Sequence, residues 1–335
     1  MPDHKIKIAI IGCGMIADFH VAALQTIEGA EICGVYDTSE NKRNAFGKKY
    51  CLNVFSSKDE IWKSDCDLVA ICTPSGTHAS FAVAALGAGK NVAVEKPLAL
   101  TYADCLKVAE AAKGKICAPI SQLRFSDSVL AVKRMIDDGR LGRITLINLS
   151  MKYFRDESYY AGSWRGTFAM DGGGALMNQG IHGIDIMRFL GGKVKGVQGI
   201  VRTLTHNIEV EDTAVANVIF ESGALGTIDA ATSVKPGYPR RLEICGDKGS
   251  IIMEEDSIVK ADVEGFSIGE NKISVAAHSD PSAISAEGHR RQYENIVSAM
   301  RGEKQLAYTV ADAAETVKLI TSIYNSSRKG MYVEL

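Results

Sequence analysis

Two patterns of apolar and polar positions divide the chain near residue 123. Before it, short runs that are almost wholly apolar, such as DLVAICT at 67–73, alternate with stretches whose apolar residues recur at helical spacing. Apolar runs of this kind are typical of strands that are buried on both faces. Their alternation with helices predicts a parallel sheet covered on both sides, which is an α/β fold.

The elements of this first part follow from those runs. Strands are expected at 5–11, 30–36, 53–55, 67–73, 91–94 and 115–120. Helices are expected after residue 14 and at 39–50, 77–88 and 101–113. We therefore predict a first domain over residues 1–123.

The second part begins with a predicted helix at 126–138 and continues with strands in which apolar and polar residues alternate. Turn signals such as GDKG at 246–249 separate these strands, which favours an antiparallel sheet with one covered face. The strands are expected at 144–153, 194–205, 212–220, 224–232, 241–245 and 250–253. Helices are expected at 288–302 and 310–328, and the weakly periodic stretch 262–286 is expected to be irregular. We predict an α+β domain over 124–335, whose C-terminal helices could pack back on the first domain.

The composition excludes several classes of protein. Of the 335 residues, 46% are apolar and 23% are charged, and the net charge of −2 comes with no basic cluster, so nucleic acid is not an expected partner. No apolar run reaches the roughly 20 residues of a membrane helix, and the N-terminus has no signal-peptide cleavage pattern. The eight cysteines form no CxxC pair or Cys/His cluster. We expect reduced thiols, a cytoplasmic location and no metal site.

A phosphate-binding fingerprint lies between the first strand and the first helix. Gly12, Gly14 and Ala17 form G-x-G-x-x-A, in which the glycines allow a tight turn and a close approach to a pyrophosphate. Asp37 ends the next strand, where a carboxylate bonds the ribose 2′-hydroxyl and repels a 2′-phosphate. NAD is therefore favoured over NADP, although another ligand, or a solvated turn role for Asp37, stays open. The predicted loop contacts to the cofactor are Gly12, Gly14, Met15 and Ile16.

The sequence NVAVEKPLAL at 91–100 places two charges at the end of a buried strand. Because side chains alternate along a strand, Glu95 and Lys96 point to opposite sides. The carboxyl end of this strand is expected to open on the cofactor crevice. One of the two charges can then face the cofactor while the other anchors elsewhere, and Pro97 fixes the backbone just beyond them.

Five motifs in this order resemble the glucose-fructose oxidoreductase / inositol dehydrogenase / MocA family over essentially the whole chain. They are GCGMIA at 12–17, TPSGTH at 73–78, EKP at 95–97, GGGALMNQGIHGID at 172–185 and HRRQY at 289–293. The resemblance implies a nicotinamide-dependent oxidoreductase of sugars or cyclitols. It implies a Rossmann domain followed by a domain with a large open, mostly antiparallel sheet, one face of which lines the active site and often joins subunits. It also implies a lysine beside nicotinamide and substrate, often before a cis proline. The further cofactor contacts it implies are Thr73, Pro74, His78, Glu95 and Lys96.

Oxidation of a secondary alcohol needs a base for the hydroxyl proton, and His182 is the predicted base. If 175–190 is helical, Asn178 and Asp185 lie on the same face, and either could orient the imidazole. Lys96 is the predicted donor to the hydroxyl or developing alkoxide. The glycines at 172–174, 180 and 183 suit close approach of cofactor, substrate or another backbone. Many members of the family carry Asp where this chain has Asn178, and the alternative for His182 is a hydrogen-bonded core histidine.

The aromatic and basic residues that precede the glycine run at 172–174 suit a sugar ring with hydroxyls or an acidic group. The predicted substrate contacts are Arg124, Tyr160, Trp164, Arg165, Asn178 and His182. For the cluster YYAGSWRG at 159–166, a domain interface is the open alternative. For Arg124, the open alternative is a structural salt bridge.

We predict an NAD-dependent dehydrogenase of a sugar, sugar acid, nucleotide sugar or cyclitol. The first alternative is a glycoside hydrolase that keeps NAD bound and uses it transiently. The second is a non-catalytic dinucleotide-binding sensor. The resemblance also implies a homo-oligomer, a dimer or tetramer, formed through the C-terminal sheet.

Overall fold

The computed structural model describes residues 5–268 and 286–335, so most of the stretch expected to be irregular lies outside the described residues. The described residues form two compact units. The first takes in the chain up to residue 122 and the segment 285–314, and the second takes in 123–284 and 315–335.

The first unit is built on a five-stranded parallel sheet with the order β2-β1-β3-β4-β5. Its strands are β1 (Ile6–Ile11), β2 (Ala30–Tyr36), β3 (Leu68–Ile71), β4 (Asn91–Val94) and β5 (Cys117–Pro119). The central strands are buried on both faces, as their apolar runs predict. The strand expected at 53–55 is reduced to a single parallel bridge between Val54 and Val35. Two backbone bonds of 2.9 Å form it, from the Val35 N–H to Asn53 and from the Phe55 N–H to Val35.

Helices connect the strands of this unit. They are α1 (Met15–Leu24), α2 (Glu40–Tyr50), α3 (Lys58–Lys63), α4 (His78–Gly87), α5 (Tyr102–Ala111) and α9 (Glu287–Met300). The prediction missed α3, although Ser57 and Glu60 carry a helix-start signal and the Ser57 hydroxyl caps the Glu60 N–H at 3.3 Å. The other helices confirm the prediction.

The second unit contains an eight-stranded sheet with the order β12-β11-β10-β6-β9-β8-β7-β13, in which only β6 and β9 pair in parallel. The strands are β6 (Ile144–Lys152), β7 (Val194–Arg202), β8 (Thr213–Phe220), β9 (Leu225–Ala231), β10 (Arg241–Gly246), β11 (Ser250–Glu254), β12 (Ser257–Asp262) and β13 (Val333–Glu334). The prediction missed β12 and β13, because neither has a long alternating run. The mostly antiparallel sheet itself is confirmed.

Helices of this unit pack on one face of the sheet. The helices are α6 (Asp127–Asp137), α7 (Glu157–Tyr160), α8 (Ile181–Gly191) and α10 (Val310–Lys329), and most of α10 belongs to this unit. Of these, α8 packs on β6 and α6 packs on α8, while the Ser326 hydroxyl of α10 accepts the Gly199 N–H of β7 at 3.0 Å. Alternate residues of β8 are buried, as expected for a sheet with one covered face. A Cβ on Gly183 of α8 would come within 2.7 Å of the Met151 sulfur on β6, so the glycine lets helix and strand pack closely. None of the described helices is long and apolar enough to cross a membrane.

Candidate active site

The loop between β1 and α1 has the form that a dinucleotide requires. Gly12 has φ +99°, and a Cβ there would lie 2.5 Å from the Cys72 carbonyl oxygen, so only glycine fits. Gly14 is exposed and caps α1 without a side chain, and an added Cβ would meet nothing within 4 Å. The first-turn N–H groups of α1 and the open space at Gly14 thus fit the pyrophosphate of a dinucleotide.

Asp37 lies beside this loop. One carboxylate oxygen accepts the Cys13 N–H at 2.9 Å and the other accepts the Ser39 N–H at 2.8 Å. Each oxygen keeps a further lone pair, so the carboxylate can also accept ribose hydroxyls. The fold therefore brings together the two parts of the fingerprint that lie 20 residues apart in the sequence.

Glu95 is held inside the first unit by residues distant in sequence. It is 4% exposed, and its Oε1 lies 2.9 Å from His20 Nε2 and 3.4 Å from His289 Nε2. Its Oε2 accepts the Lys96 N–H at 3.1 Å, and His20 Nδ1 lies 2.6 Å from the Tyr293 hydroxyl. Burial opposes ionisation, but the bonds from the two histidines hold the Glu95 pKa well below its ordinary value. Burial also lowers the pKa of His20, so a neutral imidazole donates to an ionised carboxylate.

This group also has the composition of a metal site. Within the part of the chain that the structure describes, His20, Glu95 and His289 are the one such group, with ligand atoms within 4.8 Å of one another. Both Nε2 atoms face the same carboxylate oxygen, an acceptor, so they carry protons and donate to it. The hydrogen bonds explain the arrangement, and we assign no metal there.

Two of the predicted cofactor contacts support neighbouring loops from inside the unit. Glu95 makes the bonds just described. His78 is 1% exposed, with Nδ1 2.7 Å from the Pro97 carbonyl oxygen and Nε2 2.8 Å from that of Thr73. Burial lowers the pKa of His78, while the two carbonyl acceptors act in the opposite direction. Glu95 and His78 thus hold the Thr73 and Lys96 loops from inside the unit, and their contact with the cofactor stays a prediction. The Lys96–Pro97 peptide is cis, as the resemblance implies.

In the second unit, His182 lies in the first turn of α8 and is half-buried. The segment before it, Ala175–Gly180, is a π-helix rather than the α-helix that the prediction assumed. Asn178 lies in this π-helix and is also half-buried, and its amide donates to the carboxylate of Asp171. Wider turns of this kind are frequent at functional sites.

The glycine run before the π-helix packs against the chain itself. A Cβ on Gly174 would collide with the Glu211 carbonyl oxygen, and one on Gly173 with the Tyr324 hydroxyl. The Glu211 carboxylate accepts the N–H groups of Gly174 at 3.0 Å and Leu176 at 2.8 Å, and the Tyr324 hydroxyl at 2.9 Å. At Gly174 the protein's own backbone comes close, which is one of the three reasons that the sequence left open for this run.

The YYAGSWRG stretch forms a cluster of aromatic rings and arginines. The Arg165 guanidinium lies 4.6 Å from the ring centre of Tyr159 and 5.3 Å from that of Trp164. Tyr160 meets Tyr159 edge-on at 5.0 Å and donates to the Thr232 hydroxyl at 3.1 Å. These contacts lie within one unit, and Tyr159, Tyr160, Trp164 and Arg165 are half-buried, so the cluster presents a partly open surface.

Arg124 takes the structural role that the sequence left open. It is 6% exposed and makes two bonds to Asp185, Nε to Oδ2 at 2.7 Å and Nη2 to Oδ1 at 2.8 Å. The Thr316 hydroxyl donates to the same carboxylate at 2.9 Å. Because a buried bidentate pair is costly to open, Arg124 holds Asp185 in place. The substrate role for Arg124 and the imidazole-orienting role for Asp185 stay predictions.

Sequence reasoning gave no role to several residues that hold these sites. They are His20, Arg155, Asp171, Glu211 and His289. His289 lies in the HRRQY motif that supports the resemblance, and this was the one available signal. The others carry none, because a single buried polar residue looks like any other in one sequence.

Comparisons with known proteins agree with this architecture. Residues 6–120 match the family model described as an oxidoreductase family with an NAD-binding Rossmann fold, and residues 129–252 match the GFO/IDH/MocA C-terminal domain. The scyllo-inositol 2-dehydrogenase (NAD(+)) of Bacillus subtilis is 26% identical, with 99% of this chain and 97% of that protein covered.

Two solved structures are similar over the full length. The WlbA dehydrogenase from Chromobacterium violaceum, in complex with NADH and UDP-GlcNAcA, is 31% identical with a TM-score of 0.90, covering 100% of this chain and 97% of that one. The WlbA dehydrogenase from Bordetella pertussis, with the same ligands, is 28% identical with a TM-score of 0.89, covering 100% and 99%. Together with the fingerprint loop and the two-unit fold, these matches show that the chain belongs to the GFO/IDH/MocA family of oxidoreductases and that its first unit is an NAD-binding Rossmann domain.

Proposed function

We propose that this NAD-dependent oxidoreductase oxidises a secondary hydroxyl of a nucleotide sugar that carries a carboxylate. The observation that carries this proposal is the full-length similarity to the two WlbA dehydrogenases, whose structures contain UDP-GlcNAcA. The inositol dehydrogenase relative is similar over the same length at lower identity.

The arginine and aromatic cluster of the second unit supports an acidic sugar. The Arg165 guanidinium lies over the rings of Tyr159 and Trp164, and its Nη1 donates to the Ser163 hydroxyl at 3.4 Å. Its other N–H groups suit a carboxylate or phosphate. The half-buried rings of Tyr160 and Trp164 suit the apolar face of a sugar. A neutral cyclitol would make little use of the guanidinium.

The catalytic roles belong to Lys96, His182 and Asn178. His182 takes the proton of the reacting hydroxyl, since an imidazole titrates near neutrality. The Lys96 ammonium stabilises the negative charge that develops on that oxygen. Asn178 holds the imidazole or a substrate hydroxyl through its amide. Bound NAD supplies the acceptor for the hydride.

The first test incubates the purified protein with NAD and a panel of cyclitols, free sugars, sugar acids, nucleotide sugars and aryl glycosides. Absorbance of reduced nicotinamide is followed while glycoside cleavage is measured in parallel. We expect reduction with a uridine diphosphate sugar acid and much less with its neutral counterpart. Reduction with a cyclitol alone would move the substrate to the inositol class. Glycoside cleavage without net reduction would establish the hydrolase alternative, and no turnover with tight NAD binding would establish the sensor.

Two substitutions test the catalytic assignment. Lys96→Ala and His182→Ala should each lower kcat by about 10²–10⁴-fold, the usual worth of a proton-transfer or charge-stabilising group. NAD affinity, measured by calorimetry, should stay within about threefold of wild type. Lys113→Ala, an exposed lysine of the same unit as Lys96, is the matched control. Wild-type turnover in either variant would remove that residue from the reaction.

We also propose that the chain forms homo-oligomers through the uncovered face of its large sheet. Four apolar residues on this face are at least 37% exposed, namely Leu146, Ile200, Val215 and Leu225. They pair across neighbouring strands, Leu146 with Leu225 and Ile200 with Val215, so they form apolar patches rather than isolated positions. Light scattering should give a dimer or tetramer that Val215→Lys dissociates, whereas Leu106→Lys, on the exposed face of α5, should not.

The eight cysteines are all free thiols. Together with the NAD requirement this supports a cytoplasmic location, which cell fractionation tests directly.

A further inference from the structure

A chain of hydrogen bonds with a fixed direction runs through Asn178. Arg155 Nη2 donates to Gln179 Oε1 at 2.7 Å, and Gln179 Nε2 donates to Asn178 Oδ1 at 2.9 Å. The Asn178 amide then donates to Asp171, whose carboxylate also accepts the Gly166 N–H at 2.8 Å. Asp171 is 1% exposed and Arg155 is 5% exposed, so both charged ends of the chain are buried.

The two ends fix the orientation of both amides. A guanidinium can only donate and an ionised carboxylate can only accept. Gln179 must therefore turn its oxygen to Arg155, and Asn178 must turn its nitrogen to Asp171. Flipping either amide would place a donor against a donor, which is costly in a buried network.

We propose that Asp171 is a positioning residue for the reaction, because it fixes the amide of Asn178 one helical turn before His182. This inference rests on the proposed function, in which Asn178 orients the imidazole or the substrate. Asp171 itself acts through Asn178. With Oδ1 accepting from Gln179 and Nδ2 donating to Asp171, the carboxylate sets the directions of the second N–H and the second lone pair of the Asn178 amide.

An exchange of the two residues provides a sharp test. In Asp171→Asn, the oxygen of the new amide can accept from only one of the two donors, the Gly166 N–H or the Asn178 amide. Its nitrogen, itself a donor, then faces the other donor. In Asn178→Asp, two carboxylates stand within hydrogen-bond distance, so one of them must bind a proton. In the double variant D171N/N178D, the introduced amide accepts from Gly166 and donates to the introduced carboxylate, which also accepts from Gln179. Every hydrogen bond of this series is then restored, and the negative charge has moved from position 171 to position 178.

The first readout is thermal unfolding between pH 5 and pH 8, which needs no substrate. Each single variant should lose at least about 4 °C in Tm at pH 8, and the double variant should recover most of it. The loss in Asn178→Asp should shrink as the pH falls, because the raised carboxyl pKa in the folded state costs stability only above the unfolded-state pKa. Additive losses in the double variant would overturn the proposed coupling.

The second readout is kinetic and separates positioning from a merely structural role. Asp171→Asn should lower kcat about 10²-fold with a small change in KM, since misplacing a reacting group costs about that much. The double variant should recover kcat to within about tenfold and shift its pH profile. The control is Glu255→Gln, a buried carboxylate of the same unit that accepts the Arg240 N–H at 2.8 Å and takes no part in the hydrogen bonds described above for Asn178. It should change Tm while kcat stays within about threefold.

The outcomes also separate this inference from the proposed function. Wild-type kcat in Asp171→Asn, with an active wild-type enzyme, would overturn the positioning role. A wild type that oxidises no member of the panel would overturn the proposed function, while recovery of Tm in the double variant would still support the coupling of Asp171 with Asn178.

Discussion

The two glycine-rich segments, at 12–14 and 172–174, contrast in what surrounds them. At Gly14 the residue is exposed, and a Cβ would meet nothing within 4 Å. At Gly174 the residue is buried, and a Cβ would collide with the Glu211 carbonyl oxygen. The first segment leaves space for a ligand at Gly14, whereas at Gly174 the second is closed by the protein's own backbone.

Each segment also has a carboxylate that accepts its backbone N–H groups. Asp37 bonds Cys13 and is half-buried, whereas Glu211 bonds Gly174 and Leu176 and is 4% exposed. Burial raises the pKa of Glu211 despite those bonds. A glycine run with a nearby carboxylate is therefore a binding loop only where the structure leaves it open.

The largest expected effect is a loss of stability on substitution of Gly174, in the segment at 172–174. Gly174→Ala should lower the free energy of unfolding by about 3 kcal/mol, because the added methyl meets a backbone carbonyl that a side-chain rotation cannot move. Urea unfolding at constant m value measures this. Gly14→Ala is the matched control and should change the unfolding free energy by less than about 1 kcal/mol. Equal losses of unfolding free energy in Gly174→Ala and Gly14→Ala would contradict the contrast between the closed site at Gly174 and the open site at Gly14.

The next effect concerns the carboxylate of the open segment. Asp37→Ala should reduce the preference for NAD over NADP about 30-fold, because it removes both the acceptor for the ribose hydroxyl and the repulsion of a 2′-phosphate. Calorimetric titration with the two cofactors measures the ratio. Asp37→Asn keeps the size of the side chain and one acceptor oxygen. Its preference for NAD over NADP should lie between those of wild type and Asp37→Ala. An unchanged ratio would remove Asp37 from cofactor selection.

A smaller effect tests the space at Gly14. Gly14→Ala should weaken NAD binding about tenfold, since the methyl occupies the space that the pyrophosphate approaches. Gly87→Ala is the control, because Gly87 also has nothing within 4 Å of an added Cβ but lies at the end of α4. The idea fails if NAD binds equally well to both variants.

The smallest effect follows from the Glu211 pKa. A carboxyl whose pKa is raised by folding contributes stability at acid pH and loses it as the pH rises through the folded-state pKa. Glu211→Gln removes this dependence, so its Tm relative to wild type should rise by a few degrees between pH 4 and pH 8. A constant difference would show that Glu211 has an ordinary pKa in the folded protein.

Most of the architecture could be predicted from the sequence. Continuous apolar runs predicted the parallel sheet of the first unit, and alternating runs predicted most strands of the second, because burial on two faces or one leaves a direct mark on composition. The fingerprint and Asp37 could be located from spacing alone, since strand ends at one edge of a parallel sheet lie together. Short elements with a continuous apolar run, such as β3 and β4, were predicted. The short elements α3, β12 and β13 were missed, because they have no such run and so few positions show little periodicity.

The roles of individual polar residues depended on the tertiary structure. Glu95 meets His20 and His289 across 75 and 194 residues of sequence, and no local pattern records such a meeting. The ion pair of Arg124 could not be predicted either, because its partner Asp185 lies 61 residues away. Even Asp171 and Asn178, seven residues apart, meet through a π-helix that the glycine-rich sequence does not predict. A hydrogen bond depends on positions within a few tenths of an ångström, whereas a sequence pattern constrains only which face of an element is buried.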